Sequence, residues 1–388
     1  MSNRFLFVLA AIISLHLAGN CRADDSIWRF GFYWSITATT YPPKKVPWSK
    51  YTHISQFAIL PTPSCGIDAR TYMVDRVQTD LVRTAHHNQV KILITLLQDK
   101  AQSAMARCTA PDRIAGFVAK VAEYVARNNY DGVDIDWEHG VVPNQYQDLV
   151  RKLRGALPDT ILTADVAVQQ RNFIAEVQGY LNRVNLMNYD MNQTDYHGSR
   201  LKATWHQAAL SSAGGQPDFK SGQANVEYLL SAKIAPSKIN YGVPFYGYAI
   251  AACKEGHQHG SQCSEMINRP AQAIGARGSS IMQVTYSQIV KYLATNGVQW
   301  DASSKASYIQ FHAAQAPSCS KPFCGKDAFV TFSDVRAVSE VVDYLLAARL
   351  GGIMTFALHQ EYMNDQLGDN RYPLSSAIYA RLARTDSL

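Results

Sequence analysis

Eight short β-rich runs recur along this chain, and no other feature limits its possible folds as strongly. Between several of them the apolar residues have helical spacing, as at 113–128, 146–157 and 337–350. This alternation is typical of barrels and doubly wound sheets, and eight strands are the number that closes a (β/α)8 barrel. The sequence therefore predicts an α/β fold built on a TIM barrel. The predicted strands are 29–34, 52–60, 90–97, 132–137, 160–168, 183–190, 239–247 and 351–358.

One interval is too long for a simple connection between two strands. Residues 248–330 lie between predicted strands seven and eight, and they contain Gly-rich and Cys-containing loops together with strand-like and helical runs at 279–286 and 287–297. They predict a small α+β subdomain inserted between strands 7 and 8. The predicted segments are a signal peptide at 1–23, the first part of the barrel at 24–247, the inserted subdomain at 248–330 and the last part of the barrel at 331–388.

The first residues have the pattern of a secretory signal peptide. Arg4 supplies a positive charge, residues 5–17 an apolar core, and residues 21–23 a small-x-small cleavage site. The apolar run is too short to span a bilayer, so no membrane span is predicted. Secretion to an extracellular or periplasmic space is therefore expected, with cleavage near Ala23.

The cysteines agree with export. Cleavage removes Cys21 from the seven cysteines and leaves six, an even number that suggests disulfides in an oxidising compartment. Many connectivities are open to six cysteines, although short separations favour two of the pairs. The pairs favoured in this way are Cys253–Cys263 and Cys319–Cys324, which leaves Cys65–Cys108. An alternative for the segment 253–263 is a metal site that uses His257 and His259.

The charge balance limits the possible partners. The net charge is +6, charged residues make up 18% of the chain, and the basic residues form no run. A nucleic-acid partner is therefore not indicated. No cofactor or resident metal is predicted, and the protein is expected to act as a monomer.

The most unusual segment is DGVDIDWEH at 131–139, which has four acidic residues within eight positions. Its apolar residues alternate with its acids, so a β-strand here presents one apolar face and one face of carboxylates. Asp134, Asp136 and Glu138 share the acidic face, at a spacing of about 6–7 Å. Carboxyl groups this close are predicted to share protons and to titrate together. A glutamic acid kept protonated near neutral pH in this way is suited to general acid catalysis.

Two other interpretations of this segment stay open. It could be the solvated edge of a strand, although the large apolar residues on the other face argue against full exposure. Clustered carboxylates also suit a divalent cation. A catalytic role is favoured because active sites of barrels lie at the carboxyl ends of the strands. Glu138 ends the fourth predicted strand and Asp190 ends the sixth.

The acids also form a motif that resembles the signature of a known family. Asp131, Asp134, Asp136 and Glu138 read D-x-x-D-x-D-x-E, and this pattern resembles the signature of glycoside hydrolase family 18, the chitinases. Other segments are similar to that family's sixth, seventh and eighth strands and to the extra subdomain of one of its branches. These segments are MNYD at 187–190, GVPFYG at 242–247, GGIM at 351–354 and the insertion at 248–330.

The resemblance implies a retaining, substrate-assisted glycosidase. Glu138 would protonate the glycosidic oxygen, and Asp136 would orient the N-acetyl group of the sugar and stabilise its developing charge. Asp134 would exchange a proton with Asp136, and Tyr189 would hydrogen-bond the acetamido oxygen. The residues expected to bind substrate are Met187, Asp190, Phe356, Tyr33, Tyr246 and Trp137.

Several positions depart from the family's usual residues. Thr95 can still offer a hydroxyl to Asp134, and none of the departures changes the general acid, so they affect substrate preference and rate more than reaction type. The departing residues are Phe32 in place of a Tyr, Leu97 and Gln98 in place of glycines, Tyr248 where an Arg is common, and Phe356 in place of a Trp.

The sequence favours a secreted chitinase that hydrolyses β-1,4 linkages between N-acetylglucosamine units of chitin or chito-oligosaccharides. One alternative is an endo-β-N-acetylglucosaminidase acting on glycoprotein glycans, which shares the acid motif. Another is a chitin-binding lectin on the same fold, whose inactive members typically lose the glutamate that is present here as Glu138. The MNYD segment and the long insertion favour the chitinase.

Overall fold

We describe a computed structural model of the chain. It covers residues 27–74, 77–99, 101, 103–192, 205–212, 220–251, 281–294, 297–311 and 328–384. The predicted signal peptide lies outside these residues. Within them, no helix has both the length and the apolar character needed to cross a membrane.

The described residues form strands and helices that alternate over most of the chain. The strands are β1 (Trp28–Trp34), β2 (His53–Pro61), β3 (Ile67–Asp68), β4 (Lys91–Leu97), β5 (Gly132–Asp136), β6 (Ile161–Val166), β7 (Arg183–Leu186), β8 (Ile239–Pro244), β9 (Tyr246–Ala251), β10 (Ile281–Thr285), β11 (Gln299–Asp301), β12 (Ala306–Phe311), β13 (Ala328–Phe332) and β14 (Gly352–Phe356). The helices are α1 (Val77–His87), α2 (Ala104–Cys108), α3 (Ile114–Arg127), α4 (Pro143–Ala156), α5 (Arg171–Val177), α6 (Gly222–Ser231), α7 (Tyr286–Gln288), α8 (Val335–Ala347) and α9 (Pro373–Ala383).

Parallel strands close into the predicted (β/α)8 barrel. Their order is β1-β14-β8-β7-β6-β5-β4-β2, and β1 also pairs with β2 to complete the ring. Each of the eight predicted strands overlaps one of these barrel strands, and the helical runs predicted at 113–128, 146–157 and 337–350 correspond to α3, α4 and α8. The predicted fold class is confirmed.

A second sheet is formed by segments between the last two barrel strands. It is antiparallel, with the order β10-β9-β13-β12-β11. The strand-like run predicted at 279–286 corresponds to β10. The sheet lies in the part of the chain where the insertion is predicted, and the limits of that insertion, like those of the other predicted segments, stay a prediction.

Alternation along each barrel strand divides the side chains between two buried layers. In β1, Phe30 and Phe32 belong to an apolar cluster inside the barrel, whereas Tyr33 belongs to the layer between the barrel and its helices. In β5, Val133 and Ile135 also belong to that outer layer. The position of a residue in this alternation therefore decides whether its side chain faces the interior of the barrel.

One disulfide lies within the described residues. Cys65, in the loop after β2, is bonded to Cys108 at the end of α2, with a Cα–Cα distance of 5.2 Å. This bond is the third pair of the favoured connectivity, and the prediction of that pair is confirmed. The other predicted pairs and the alternative metal site fall within 252–280 and 312–327, outside the described residues.

Candidate active site

Strand β5 brings the predicted acids to the inside of the barrel. Asp134 and Asp136 are buried, and Glu138 follows directly after the carboxyl end of the strand, where it remains accessible to solvent. The side chains that alternate with these acids, Val133 and Ile135, are apolar and pack between the strand and the helices. The segment is therefore neither a fully solvated strand edge nor an ordinary buried strand.

Asp134 is surrounded by hydrogen-bond donors from three neighbouring strands. Its carboxylate accepts from Thr163 Oγ1 at 2.5 Å, from Asn185 Nδ2 at 3.1 Å and from Thr95 Oγ1 at 3.3 Å. The parallel register explains two of these contacts, because Thr95 and Thr163 are the partners of Asp134 on β4 and β6. The hydroxyl that the sequence predicts Thr95 to offer is therefore present.

The pKa values of these acids are raised by burial. Burial raises the pKa of Asp134 to about 6, while hydrogen bonds from its donors act in the opposite direction. Burial raises the pKa of Asp136 well above its ordinary range, and the nearby charges of Glu138 and Asp134 raise it further. Glu138 keeps part of its side chain exposed, but partial burial of its carboxyl raises its pKa, and His139 and then Asp136 partly offset this. These shifts let the carboxyl groups hold protons at a higher pH than ordinary carboxyl groups do.

Gln98 holds the backbone that carries Glu138. Its Oε1 accepts hydrogen bonds from the backbone N–H groups of Glu138 at 3.0 Å and His139 at 2.7 Å. Its Nε2 lies 3.1 Å from Nδ1 of His139. The sequence identifies Gln98 only as a residue in place of a glycine, and it does not predict this positioning contact.

The MNYD segment follows β7 and completes one side of the site. Tyr189 is close enough to Glu138, Asp136 and Asp190 for their charges to raise the pKa of its hydroxyl, after the larger effect of burial. Asp190 accepts a hydrogen bond from the Tyr246 hydroxyl at 2.7 Å, and burial raises its pKa. Asp190 has a positive φ of 58°, a conformation that Asp adopts more readily than most residues.

An aromatic cluster around Phe356 forms the other side. The ring of Phe356 lies 5.4 Å from Phe32, 5.5 Å from Phe57 and 6.4 Å from Tyr189, on which it is stacked at 29°. Trp34 is 6.3 Å away, and Met187 packs against the same cluster. The site therefore combines a group of carboxyls with an apolar aromatic surface, which suits a sugar with one polar edge and one apolar face.

Two predicted substrate-binding residues do not reach this site. Tyr33 is buried in the outer layer, where its hydroxyl donates to the backbone carbonyl of Tyr41 at 2.8 Å. Trp137 is also buried there, stacked on Tyr146 of α4 at 5.8 Å. In each strand the alternation turns this side chain toward the helices, so neither residue is included in the proposed site. Met187, Asp190, Tyr246 and Phe356 are brought together.

Asp131, the first acid of the motif, lies at the opposite end of β5 from Glu138. Its carboxylate accepts from the backbone N–H of Ile92 at 2.8 Å and from Lys91 Nζ at 3.1 Å. This is a structural role in joining β4 to β5. Within the ranges that the structure describes, no group of three or more His, Cys, Asp or Glu residues has an arrangement that could hold a metal ion.

A further buried acid was not singled out from the sequence. Asp165 is the partner of Asp136 in the register of β5 and β6, and the partner of Asn185 on β7. It is 3% exposed. The sequence contains one sign of its position, because Thr163 and Asp165 are two residues apart in the run TILTADVAV at 160–168 and so share one face of the strand. In the structure they stand opposite Asp134 and Asp136.

Comparison with known families gives one match that covers most of the chain. The sequence model of the family described as Glycosyl hydrolases family 18 matches residues 29–361. Probable chitinase 2 of Drosophila melanogaster is 23% identical over 262 residues, which are 62% of this chain and 50% of that protein. The match therefore spans half the length of that relative.

Solved structures show the same architecture. The Group IV chitinase of Ostrinia furnacalis matches with a TM-score of 0.76 at 20% identity, over 92% of this chain and 100% of that chain. The GH18 chitinase of Cycas revoluta in complex with (GlcNAc)3 matches with a TM-score of 0.69 at 20% identity, over 91% of this chain and 99% of that chain. At these identities the likeness shows the fold.

Proposed function

The chain belongs to glycosyl hydrolase family 18, and on that premise we propose that it is a secreted chitinase that hydrolyses β-1,4 linkages between N-acetylglucosamine units of chitin or chito-oligosaccharides. One observation carries the proposal most directly. Glu138, just beyond the carboxyl end of a barrel strand, lies beside the buried Asp136, and burial raises the pKa of both. A glutamic acid that keeps its proton near neutral pH can act as a general acid.

The proposed first step is substrate-assisted. Glu138 gives its proton to the glycosidic oxygen, and the bond from that oxygen to the anomeric carbon breaks. The acetamido oxygen of the same sugar forms a bond to the anomeric carbon, giving a cyclic oxazolinium ion. Asp136 orients the acetamido group and stabilises the positive charge on its nitrogen.

The proposed second step returns the enzyme to its starting state. Glu138, now a carboxylate, takes a proton from a water molecule whose oxygen attacks the anomeric carbon. The bond from the anomeric carbon to the acetamido oxygen breaks, and the acetamido group is restored. Two inversions at the same carbon give net retention of configuration.

Contacts within the site support assignments for the surrounding residues. Tyr189, whose hydroxyl is buried near the acids, is the proposed hydrogen-bond donor to the acetamido oxygen. Asp190 and Tyr246 are joined by a hydrogen bond at 2.7 Å and are proposed to bind the sugar next to it. Phe356 is the proposed apolar surface under a sugar ring, with Met187 at its side.

Export is proposed on two grounds. Residues 1–23 have the pattern of a signal peptide. The Cys65–Cys108 disulfide is a bond that forms and persists in oxidising compartments. The protein is proposed to act as a monomer on its polysaccharide, without a nucleic-acid partner or a cofactor.

The test is a turnover assay on soluble chito-oligosaccharides beside a high-mannose glycopeptide, each with and without excess EDTA. Cleavage of the chito-oligosaccharide, with a first product of retained anomeric configuration, supports the proposal. Cleavage of the glycopeptide alone would show an endo-β-N-acetylglucosaminidase, and binding without turnover would show a lectin. Activity that disappears with EDTA and returns with Mg²⁺ or Ca²⁺ would favour a metal-dependent site.

A further inference from the structure

Asp165 is a buried acid that the proposed mechanism does not use. It lies inside the barrel on β6, between Asp136 of β5 and Asn185 of β7 in the register of the sheet. Its side chain lies within hydrogen-bonding reach of Asp134 and Asn185, while its Oδ1 is buried and accepts no hydrogen bond. A carboxylate with an unpaired, buried oxygen is costly, whereas the neutral acid avoids most of that cost.

The donors inside the barrel are distributed unevenly among the three buried aspartates. Asp134 accepts from Thr163, Asn185 and Thr95. Asp136, like Asp165, has a buried Oδ1 with no partner. Hydrogen bonds to a carboxylate favour its charged form. The negative charge is therefore best placed on Asp134, with protons on the other two.

We propose that Asp165 is a positioning residue that stays protonated and donates a hydrogen bond from its carboxyl O–H to Asp134. Asp134 then remains the anionic member of the set, and Asp136 remains protonated toward Glu138. Its effect on turnover rests on the proposed function, whereas its protonation state does not. The direction of the pKa shifts agrees, because burial and the charges of Asp134 and Asp136 raise the pKa of Asp165 well above its ordinary range.

The other titratable groups near Asp165 do not offer an opposite charge. Asp134 and Asp136 face it from β5, and Tyr189 follows β7. Tyr146 of α4 is also close enough for the charge of Asp165 to raise the pKa of its hydroxyl. The residue beside it on β7 is the uncharged Asn185, which also hydrogen-bonds the Asp165 side chain and whose Oδ1 accepts from Asn240 Nδ2 at 2.8 Å.

The first test measures the free energy of unfolding from pH 4 to pH 8, for wild type and Asp165→Asn. A folded-state pKa above the unfolded value gives stability that is complete at low pH and is lost as the pH rises. Wild type should therefore lose more stability over this range than Asp165→Asn. The slopes of the free energy of unfolding against pH should differ by the equivalent of about one bound proton. Thr163→Val is the control, since it removes a donor to Asp134 but no titrating group.

The second test compares kcat on a soluble chito-oligosaccharide. Asp165→Asn keeps an N–H donor for Asp134, whereas Asp165→Ala removes the donor. We expect Asp165→Ala to lose roughly tenfold more activity than Asp165→Asn, the equivalent of one buried hydrogen bond. A role limited to filling space does not predict this rescue by the amide. Asp165→Ser, also without a titrating group, replaces Asp165→Asn in the unfolding test if the amide variant does not fold.

The outcomes separate this inference from the proposed function. Parallel slopes for wild type and the Asn or Ser variant would overturn the assignment of a proton to Asp165. Equal activity of Asp165→Ala and wild type would overturn its positioning role. If wild type does not cleave chito-oligosaccharides, the proposed function fails, and the unfolding measurement still decides the protonation of Asp165.

Discussion

The backbone N–H of Glu138 donates a hydrogen bond to the side-chain oxygen of Gln98 at 3.0 Å. This contact joins the proposed general acid to the residue that follows β4, the neighbouring barrel strand. The same oxygen accepts from the N–H of His139 at 2.7 Å. Two backbone groups just beyond β5 are thus held by one amide, and the position of the acid depends on a side chain that takes no part in proton transfer.

Replacing Gln98 by Leu keeps a similar volume and removes the acceptor. We expect kcat on a chito-oligosaccharide to fall about tenfold to a hundredfold, because a small displacement of a catalytic group is costly. Gln98→Glu keeps an acceptor oxygen for the two N–H groups and is the matched control. Loss of activity in both variants to the same extent would show that the hydrogen bonds do not position Glu138.

Replacing Glu138 by Gln keeps its shape and removes the transferable proton. We expect at least a ~10²-fold fall in kcat, with oligosaccharide binding retained. Steady-state kinetics together with calorimetric titration of an oligosaccharide would measure the two effects. Hydrolysis close to the wild-type rate would assign the proton transfer to another group.

Replacing Asp136 by Ala removes the hydrogen bond that lowers the pKa of Glu138. The pKa of Glu138 should therefore rise, and the basic limb of the pH–rate profile should move to higher pH. Turnover should also fall, by about 10² or more, since no carboxyl remains to stabilise the developing positive charge. Asp136→Asn keeps an N–H donor toward Glu138, so its profile should move less. Identical basic limbs in wild type and both variants would place Asp136 outside the titrating group.

Hydrophobic alternation made the barrel predictable from sequence, because each strand needs one face toward the helices and one toward the interior. The same rule explains why Tyr33 and Trp137 lie apart from the acids. Trp137 alternates in phase with Val133 and Ile135 on the outer face of its strand, and Tyr33 has the equivalent position on β1. Their burial against Tyr41 and Tyr146 follows directly from that alternation.

The partners of the acids were harder to predict, since they depend on register across several strands. Asn185 reaches Asp134 only because β7, β6 and β5 are aligned as they are. Asp165 was likewise visible as an acid in a β-rich run, but its neighbours were not. Gln98 is visible in the sequence only as a residue in place of a glycine, whereas its side chain is bound to the backbone at 138 and 139.

Glu361, a buried acid outside the proposed site, should make stability depend on pH. Its carboxylate accepts from the backbone N–H groups of Leu374 at 2.7 Å and Ser375 at 3.0 Å, at the start of α9. Burial raises the pKa of Glu361 from 4.5 to about 7. The contribution of Glu361 to the free energy of unfolding is complete below the pKa of the unfolded state and is lost as the pH rises toward 7. The loss between these two pH values is about 3 kcal/mol.

Replacing Glu361 by Gln removes this titration and keeps an acceptor oxygen for α9. We expect the free energy of unfolding of Glu361→Gln to fall less than that of wild type between pH 4.5 and pH 7, as measured with denaturant at fixed pH values. Asp369→Asn is a control for a carboxylate that is largely exposed. Curves that stay parallel for wild type and Glu361→Gln would show that Glu361 has an ordinary pKa.

Phe356 is the departure whose surroundings the structure describes most fully. A larger indole at this position would offer more surface to a sugar ring. However, the ring of Phe356 already lies within 5.5 Å of the Phe32 and Phe57 rings, and it is stacked on Tyr189. Phe356→Trp should therefore overpack the cluster and lower the free energy of unfolding by about 1–3 kcal/mol. Since Tyr189 is displaced in the process, kcat/KM on a chito-oligosaccharide should fall as well.

Phe356→Leu tests the opposite change, because it removes the stacking surface without adding volume. If Phe356→Trp instead raises kcat/KM with an unchanged Tm, the cluster has room for the larger ring, and wild type is limited by the stacking area of Phe356.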